Sequence, residues 1–449
     1  GLAVTTGSTN VAIGASCLDR MDGAVTQNVA IGATAMHGNL SNVAITGCVA
    51  IGHEALEGTL TVGANYSVAI GKEALKGLTS GAGNTAIGYQ AALETQTGSK
   101  SVVIGYGAAN NTADTLGDSN ILIGYQCGGV GQWVGASNSN TIIGANAFNG
   151  AVNQSSTNTG VGFNVFKALV SGDNNNALGA YSLDALTTGS SNVGVGNATG
   201  SIITTTSDCT LVGVEAGYSM SAGQTDTNGT VAIGRSALTA LTSGAANTAI
   251  GYQSGLALTT GDKNTYLGYQ AGLKDTDQDE NTYIGYYAGY ESCTATAASY
   301  HNTYVGSFAG ENIDDGIRNV AIGRAAMRGT DADANDASYC VAVGREALNT
   351  ITDGYYNTAV GNAALSLLTT GSSNVAVGNS AGYSVLDSDN NTIMGNNAGY
   401  YLGSDAADDN TFIGFKAGFS GETDNANGNT ATDNVAIGSM AMGGNTGSE

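Results

Sequence analysis

Asn247-Thr-Ala-Ile-Gly251-Tyr-Gln-Ser-Gly255-Leu-Ala-Leu-Thr-Thr-Gly261-Asp-Lys-Asn264-Thr-Tyr-Leu-Gly268 contains one full period of this chain. Asn, a β-branched residue, a small or apolar residue, an aliphatic residue and Gly appear at 247–251 and return 17 residues later at 264–268. A fixed period of this length marks a stacked repeat, in which each copy buries its apolar side against the next.

Outward from this stretch, the closing Gly recurs 24 times, from Gly14 to Gly438, and 12 of the 23 intervals are 17 residues. The residue before it is apolar in all 24 copies, and three before it is β-branched in 23, Asn176 being the exception. Asn stands four before the Gly in 18 copies and Ala three after it in 18. A turn signal recurs between strands, as at 241–247 (Leu-Thr-Ser-Gly-Ala-Ala-Asn) and 368–374 (Leu-Thr-Thr-Gly-Ser-Ser-Asn). The pattern predicts an all-β parallel β-solenoid, or β-roll, of about 24 coils on a 17-residue base repeat, with Asn stacking on Asn from coil to coil. It predicts one continuous repeat domain over 1–449, with a partial coil at 1–9 and the last coil at 434–449.

Composition agrees. There are 69 glycines and no proline, which suits interior strands that must all donate to a ladder. The net charge of −23 argues against nucleic acid as a partner, and no apolar run is long enough to insert in a membrane as a helix.

Residues one and three before the Gly share a strand face, and their apolar character predicts that this face is the coil interior. The residue two before the Gly then points outward. It is Ala in 13 copies, Gly in two and apolar in the other nine. An outward apolar stripe predicts burial against other copies of the chain, with a side-by-side homotrimer as the expected assembly. The expected interface residues are Ala12, Ala30, Ala86, Ala249, Tyr266, Tyr283, Tyr304, Ala321, Ala376, Phe412 and Ala436.

The Asn-Val-Ala-Ile-Gly units at 10–14, 28–32, 319–323 and 434–438 resemble the head repeats of YadA-type trimeric autotransporter adhesins. The longer unit, Asn-Thr-Ala-Ile-Gly-Tyr-Gln-Ser-Gly followed by Leu-Thr-Thr-Gly, is similar to bacteriophage tail-fibre repeat arrays. The resemblance covers the whole chain and implies an extracellular, trimeric structural fibre, on a virion tail or a cell surface, that contacts a host-surface glycan or protein. It implies no catalytic residue. The unit here is longer than the usual adhesin repeat, which favours the tail-fibre shaft over the adhesin head. Gly1-Leu2-Ala3-Val4-Thr5-Thr6-Gly7 aligns with 255–261, so the chain starts mid-coil and reads as a length of a longer polypeptide.

Site candidates are few. Five of the six cysteines replace small repeat residues: Cys48, Cys209 and Cys340 at the Asn position, Cys17 and Cys127 at the Ala position. Cys293 falls in a loop. None of the five has a counterpart in an adjacent coil to pair with. His37, His53 and His301 do not recur, so no catalytic constellation is expected and the chain reads as a non-enzyme. No cofactor is expected beyond calcium, for which alternating carboxylates at Asp275, Asp277, Asp279, Asp331 and Asp333 could supply oxygen ligands. A solvated acidic loop is the plainer reading of these carboxylates. Tyr252, Tyr269 and Tyr286 each follow a closing Gly and are candidates for stacking on a glycan. Thr248, Thr265, Thr282 and Thr303 form a ladder, as ice-binding solenoids require, but the expected parity turns it inward.

Overall fold

The computed structural model describes residues 6–19, 24–38, 43–111, 116–129, 133, 135, 137–220, 227–291, 300–330, 335–402, 407–419 and 432–443. They are all-β apart from one 3-10 turn at Val62–Ala64. The chain forms two compact units, Gly1–Gly229 and Thr230–Glu449. Each is a parallel β-solenoid with a spacing near 18 residues.

In the first unit the main ladder runs from Val11–Ile13 through Val29–Ile31 and Val49–Ile51 to Thr210–Val212. A second, three-stranded sheet of Thr6–Ser8, Ala24–Thr26 and Ile45–Thr46 accompanies its first coils. In the second unit the ladder runs from Val231–Ile233 to Val435–Ile437. Every closing Gly follows such a strand, and equal repeat positions stay in register: Thr265 pairs with Thr282, Tyr266 with Tyr283 and Leu267 with Ile284.

The strands are only three residues long because the coil must turn twice. The closing Gly makes one corner. Gly268 has φ +148°, and a Cβ there would run into the carbonyl of Gly285 in the next coil, so no other residue fits. Two and four residues later the backbone is left-handed again, even where the residue is not Gly: Ser236 has φ 56° and Leu238 φ 49°. Left-handed non-Gly residues cost about 1 kcal/mol each. Inter-coil hydrogen bonds hold them: Leu238 N–H donates to Ser254 C=O at 3.0 Å, and Gln253 N–H to Arg235 C=O at 3.0 Å.

The interior reverses the expected parity. Along each strand of the ladders after the first, Val11–Ile13, the middle residue, two before the Gly, is buried, and its two neighbours are partly or fully exposed. The coil is thin. The strand lies directly on the left-handed turn, and the residue four after the Gly projects into the same space. The sizes of the two positions are therefore complementary. Ala50, Ala232 and Ala342 face Leu56, Leu238 and Leu348, all fully buried. Where the strand supplies Tyr266, Tyr283, Tyr304 or Phe412, the turn supplies Gly272, Gly289, Gly310 or Gly418. A Cβ on Gly272 would sit 2.6 Å from the Tyr266 ring. Ile142 with Phe148, both large, and Gly194 with Gly200, Ala249 with Gly255 and Ala376 with Gly382, both small, depart from the rule. Close packing of a core this narrow makes two large residues on one level the exception.

The Asn ladder forms as expected. Asn264 N–H donates to Asn247 Oδ1 at 2.9 Å, and Asn264 Nδ2 donates to the same oxygen at 3.2 Å and to Gln278 C=O at 2.6 Å. Asn281 N–H continues the series to Asn264 Oδ1 at 2.9 Å. The same chain runs through Asn140, Asn158, Asn175 and Asn192, all fully buried. Burial is tolerable because the amide groups are satisfied.

Candidate functional site: the outward faces of the coil

With the strand's middle residue inside, the β-branched and aliphatic columns lie outside. In the second unit the face carries Thr248, Thr265, Thr282 and Thr303 in one column and Ile250, Leu267, Ile284 and Val305 in the other. Leu267 is 42% exposed. No charged residue occurs in either column in the whole chain. The thin coil thus carries its larger aliphatic side chains on the outer side of its own sheet.

The interface expected from the other parity is corrected accordingly. Ala30, Ala86, Ala249, Ala321, Ala376, Tyr266, Tyr283, Tyr304, Phe412 and Ala436 are all buried within the coil of a single chain, so no second chain can touch them. Ala12, in the first coil of its ladder, is exposed. The missed signal was the reciprocal size of the residues two before and four after the Gly, which places both inside.

The three interior tyrosines pack in series: ring centroids are 5.5 Å apart for Tyr266 and Tyr283, which are tilted by 37°, and 4.9 Å for Tyr283 and Tyr304, which stack. Tyr266 Oη donates to Asp275 Oδ2 at 2.6 Å. Asp275 occupies the position that Leu241, Leu258 and Leu368 hold in other coils and is fully buried. Its other oxygen has no partner among the described residues. Burial pushes its carboxyl well above the usual carboxylate range, and burial likewise raises the Tyr266 hydroxyl.

The acidic run does not converge on an ion. Asp275 points into the core. Asp277 Oδ1 accepts from Thr276 Oγ1 and Gln278 Nε2, and Asp279 Oδ1 accepts the N–H of Asp262 in the preceding coil at 2.7 Å. Asp262, Asp389 and Asp408 accept from the preceding coil in the same way, so these carboxylates are rungs between coils. Asp331 and Asp333 lie outside the described residues, as do Cys293 and the chain start at 1–5. Among the described residues no cluster of His, Cys, Asp and Glu is arranged to hold a metal.

Tyr252, Tyr269 and Tyr286 are exposed and form a ladder with centroids 5.2 and 5.4 Å apart and planes 17° apart. Their faces cover one another, so edges and hydroxyls are what they offer. A glycan stacks on a ring face. Tyr287 and Phe308 pack edge-on against Tyr286. A second ladder, Tyr89, Tyr106 and Tyr125, has spacings of 4.9 and 5.7 Å.

The histidines remain apart and sit beside glutamates: His37 by Glu57 at 3.9 Å, His53 by Glu54 at 3.5 Å and His301 by Glu280 at 3.1 Å. Cys17, Cys48, Cys127, Cys209 and Cys340 are buried free thiols. Cys48 takes over the Asn position in the ladder, its N–H donating to Asn28 Oδ1 at 2.8 Å. Burial raises the Cys127 thiol to about 12. Among the described residues no helix is long and apolar enough to cross a membrane.

With this geometry in view, comparison with known families finds no match, and no curated protein is significantly similar to the chain.

Proposed function

We propose that the chain is the shaft of an attachment fibre, of the kind bacteriophage tails carry, and that it works as a side-by-side homotrimer. The observation that carries this reading is the uncharged, half-exposed double column of Thr/Val and Ile/Val/Leu along the ladder of each unit. A chain with 49 charged residues keeps every one of them off these two columns. Apolar strips of this extent are covered in soluble assemblies, and a flat repeating face is matched most simply by the same face of another copy. The residue classes also fit a passive, extended element: the polar side chains are spent on holding coil to coil. A bacterial surface adhesin head is the alternative within the same architecture, and in both the molecule acts outside the cell against a host surface.

Mass in solution tests the reading. Light scattering should give three times 44.5 kDa. A stable monomer at micromolar concentration overturns it. A second reading gains support from the outward turn of the threonine ladder, which removes the objection to an ice-binding face. A monomer that depresses the freezing point below the melting point of ice would favour it over the fibre.

A further inference from the structure

The outward face of each coil has two rims. One is the left-handed residue five before the closing Gly, and the other is the residue directly after the Gly. Five residues of mostly extended chain lie between the two rims of one coil, which sets the rims roughly 15–20 Å apart at about 3.3 Å per residue. Side chains on opposite rims of one coil are thus too far apart to pair with each other.

Four of the 24 levels nevertheless set a basic residue on one rim opposite a tyrosine on the other. In the first unit, Lys100 stands on one rim and Tyr106 on the other, and Tyr106 is the centre of the Tyr89, Tyr106, Tyr125 ladder. In the second unit, Lys263 stands opposite Tyr269, the centre of the Tyr252, Tyr269, Tyr286 ladder. Two further coils repeat the match: Tyr66 opposite Lys72, and Tyr339 opposite Arg345. The rim after the Gly carries four of the chain's 13 Lys and Arg residues and none of its 36 acids.

Resting on the shaft reading above, we infer that these rims are docking rungs between copies of the chain, with the copies parallel and their coils level. Rotation about an axis parallel to the stack carries the end rim of one strand to the start rim of the next copy's strand. Closure of the ring forbids any net slip along that axis, so each coil meets its own equivalent. Lys100 and Lys263 then reach the centres of the neighbour's tyrosine ladders, where stacking covers the ring faces and the phenolic oxygens are left to accept the ammonium N–H. The ladders extend one coil either way and so accept a flexible lysine. The Lys263 pairing with Glu280, at 3.1 Å, is exposed and sits on the same rim, so it does not block the approach. One level carries like charges, Arg318 and Arg324. Each is already engaged in its own chain, Arg318 with Tyr339 at 2.9 Å and Arg324 with Glu346 at 3.0 Å. An antiparallel assembly would break the level matching. The tyrosine ladders thereby gain a partner of defined chemistry, the lysines of a second copy, in place of a glycan.

The test is thiol cross-linking with a short bis-maleimide of the full chain carrying Lys263→Cys and Tyr269→Cys together. Each single variant and the unmodified chain serve as controls. Expected is a covalent three-chain species from the double variant alone. A mismatched pair, Lys263→Cys with Arg345→Cys, should give none. Cross-linked dimers from a single variant would mean an antiparallel pairing and overturn the inference. Trimers by mass without cross-links from the double variant would overturn the rung pairing while leaving self-association standing. Monomers by mass would overturn both. Lys100→Glu combined with Lys263→Glu should shift dissociation to at least a tenfold higher concentration with hydrogen exchange of the coils unchanged. An unshifted midpoint would count against the rungs.

Discussion

If the strand's middle residue and the turn residue share one narrow space, exchanging their sizes on one level should be tolerated, whereas changing either alone should not. The coil closed by Gly361 is a clean place to try this. Ala359 and Leu365 are both fully buried there, and Leu365 has φ 48°. Leu365→Gly removes a buried side chain, at a cost of about 2–5 kcal/mol by analogy with large-to-small core changes. Relief of the left-handed Leu returns about 1 kcal/mol, and the greater freedom of Gly in the unfolded chain takes back about as much. The net loss stays in the 2–5 kcal/mol range. Ala359→Leu alone overpacks the level and costs about 1–3 kcal/mol. Together they recreate the arrangement of Leu211 with Gly217. The double variant should therefore recover a coupling of about 1–3 kcal/mol. Stability in a stacked repeat is local, so the readout is native-state hydrogen exchange of peptides spanning 357–382, compared across the four proteins. Additivity within about 0.5 kcal/mol would refute the shared-space argument. A neutral Ala359→Leu would refute the inward orientation itself, because an outward Ala would accept Leu at little cost.

Asn264→Ala keeps the backbone N–H bond to Asn247 Oδ1 but removes the Nδ2 bonds to Asn247 Oδ1 and Gln278 C=O and the acceptor of Asn281 N–H, and should lower local stability by about 2–4 kcal/mol, read as faster exchange in residues 264–285. Asp275 gives a pH signature. Its folded carboxyl titrates well above the unfolded value, so the folded state holds the extra proton and stability should fall as pH rises from about 4 towards the folded value. Melting followed against pH should lose this slope in Asp275→Asn, and an unchanged slope would remove Asp275 as its source. Calcium or a chelator should leave the melting temperature unmoved, since Asp277 and Asp279 are already used as acceptors within the chain. A thiol reagent should label the five buried cysteines only on unfolding, because burial withholds access and, at Cys48, Cys127 and Cys340, also disfavours the thiolate.

The repeat, the Asn ladder and the harmless cysteines are legible in the one-dimensional pattern because a solenoid brings equal positions of successive repeats together. Asn247, Asn264 and Asn281 are 17 residues apart and touch. Among the described residues, Asp275, Asp277 and Asp279 do not converge, because their alternation says nothing about direction: one enters the core and another caps the preceding coil.

By itself, the sequence determined the period, the parallel stacking and the identity of the closing Gly, because each follows from a recurrence that only one coil geometry can satisfy. It could not decide which apolar parity lies inside. Both the Ala column and the Ile/Val column avoid charge, and hydrophobicity alone cannot separate a small core residue from a residue awaiting a partner. Tertiary structure decided it through width. The strand lies so close to the turn that only a small residue fits opposite Leu238, or a tyrosine opposite Gly272, and the larger aliphatic side chains are left facing outward.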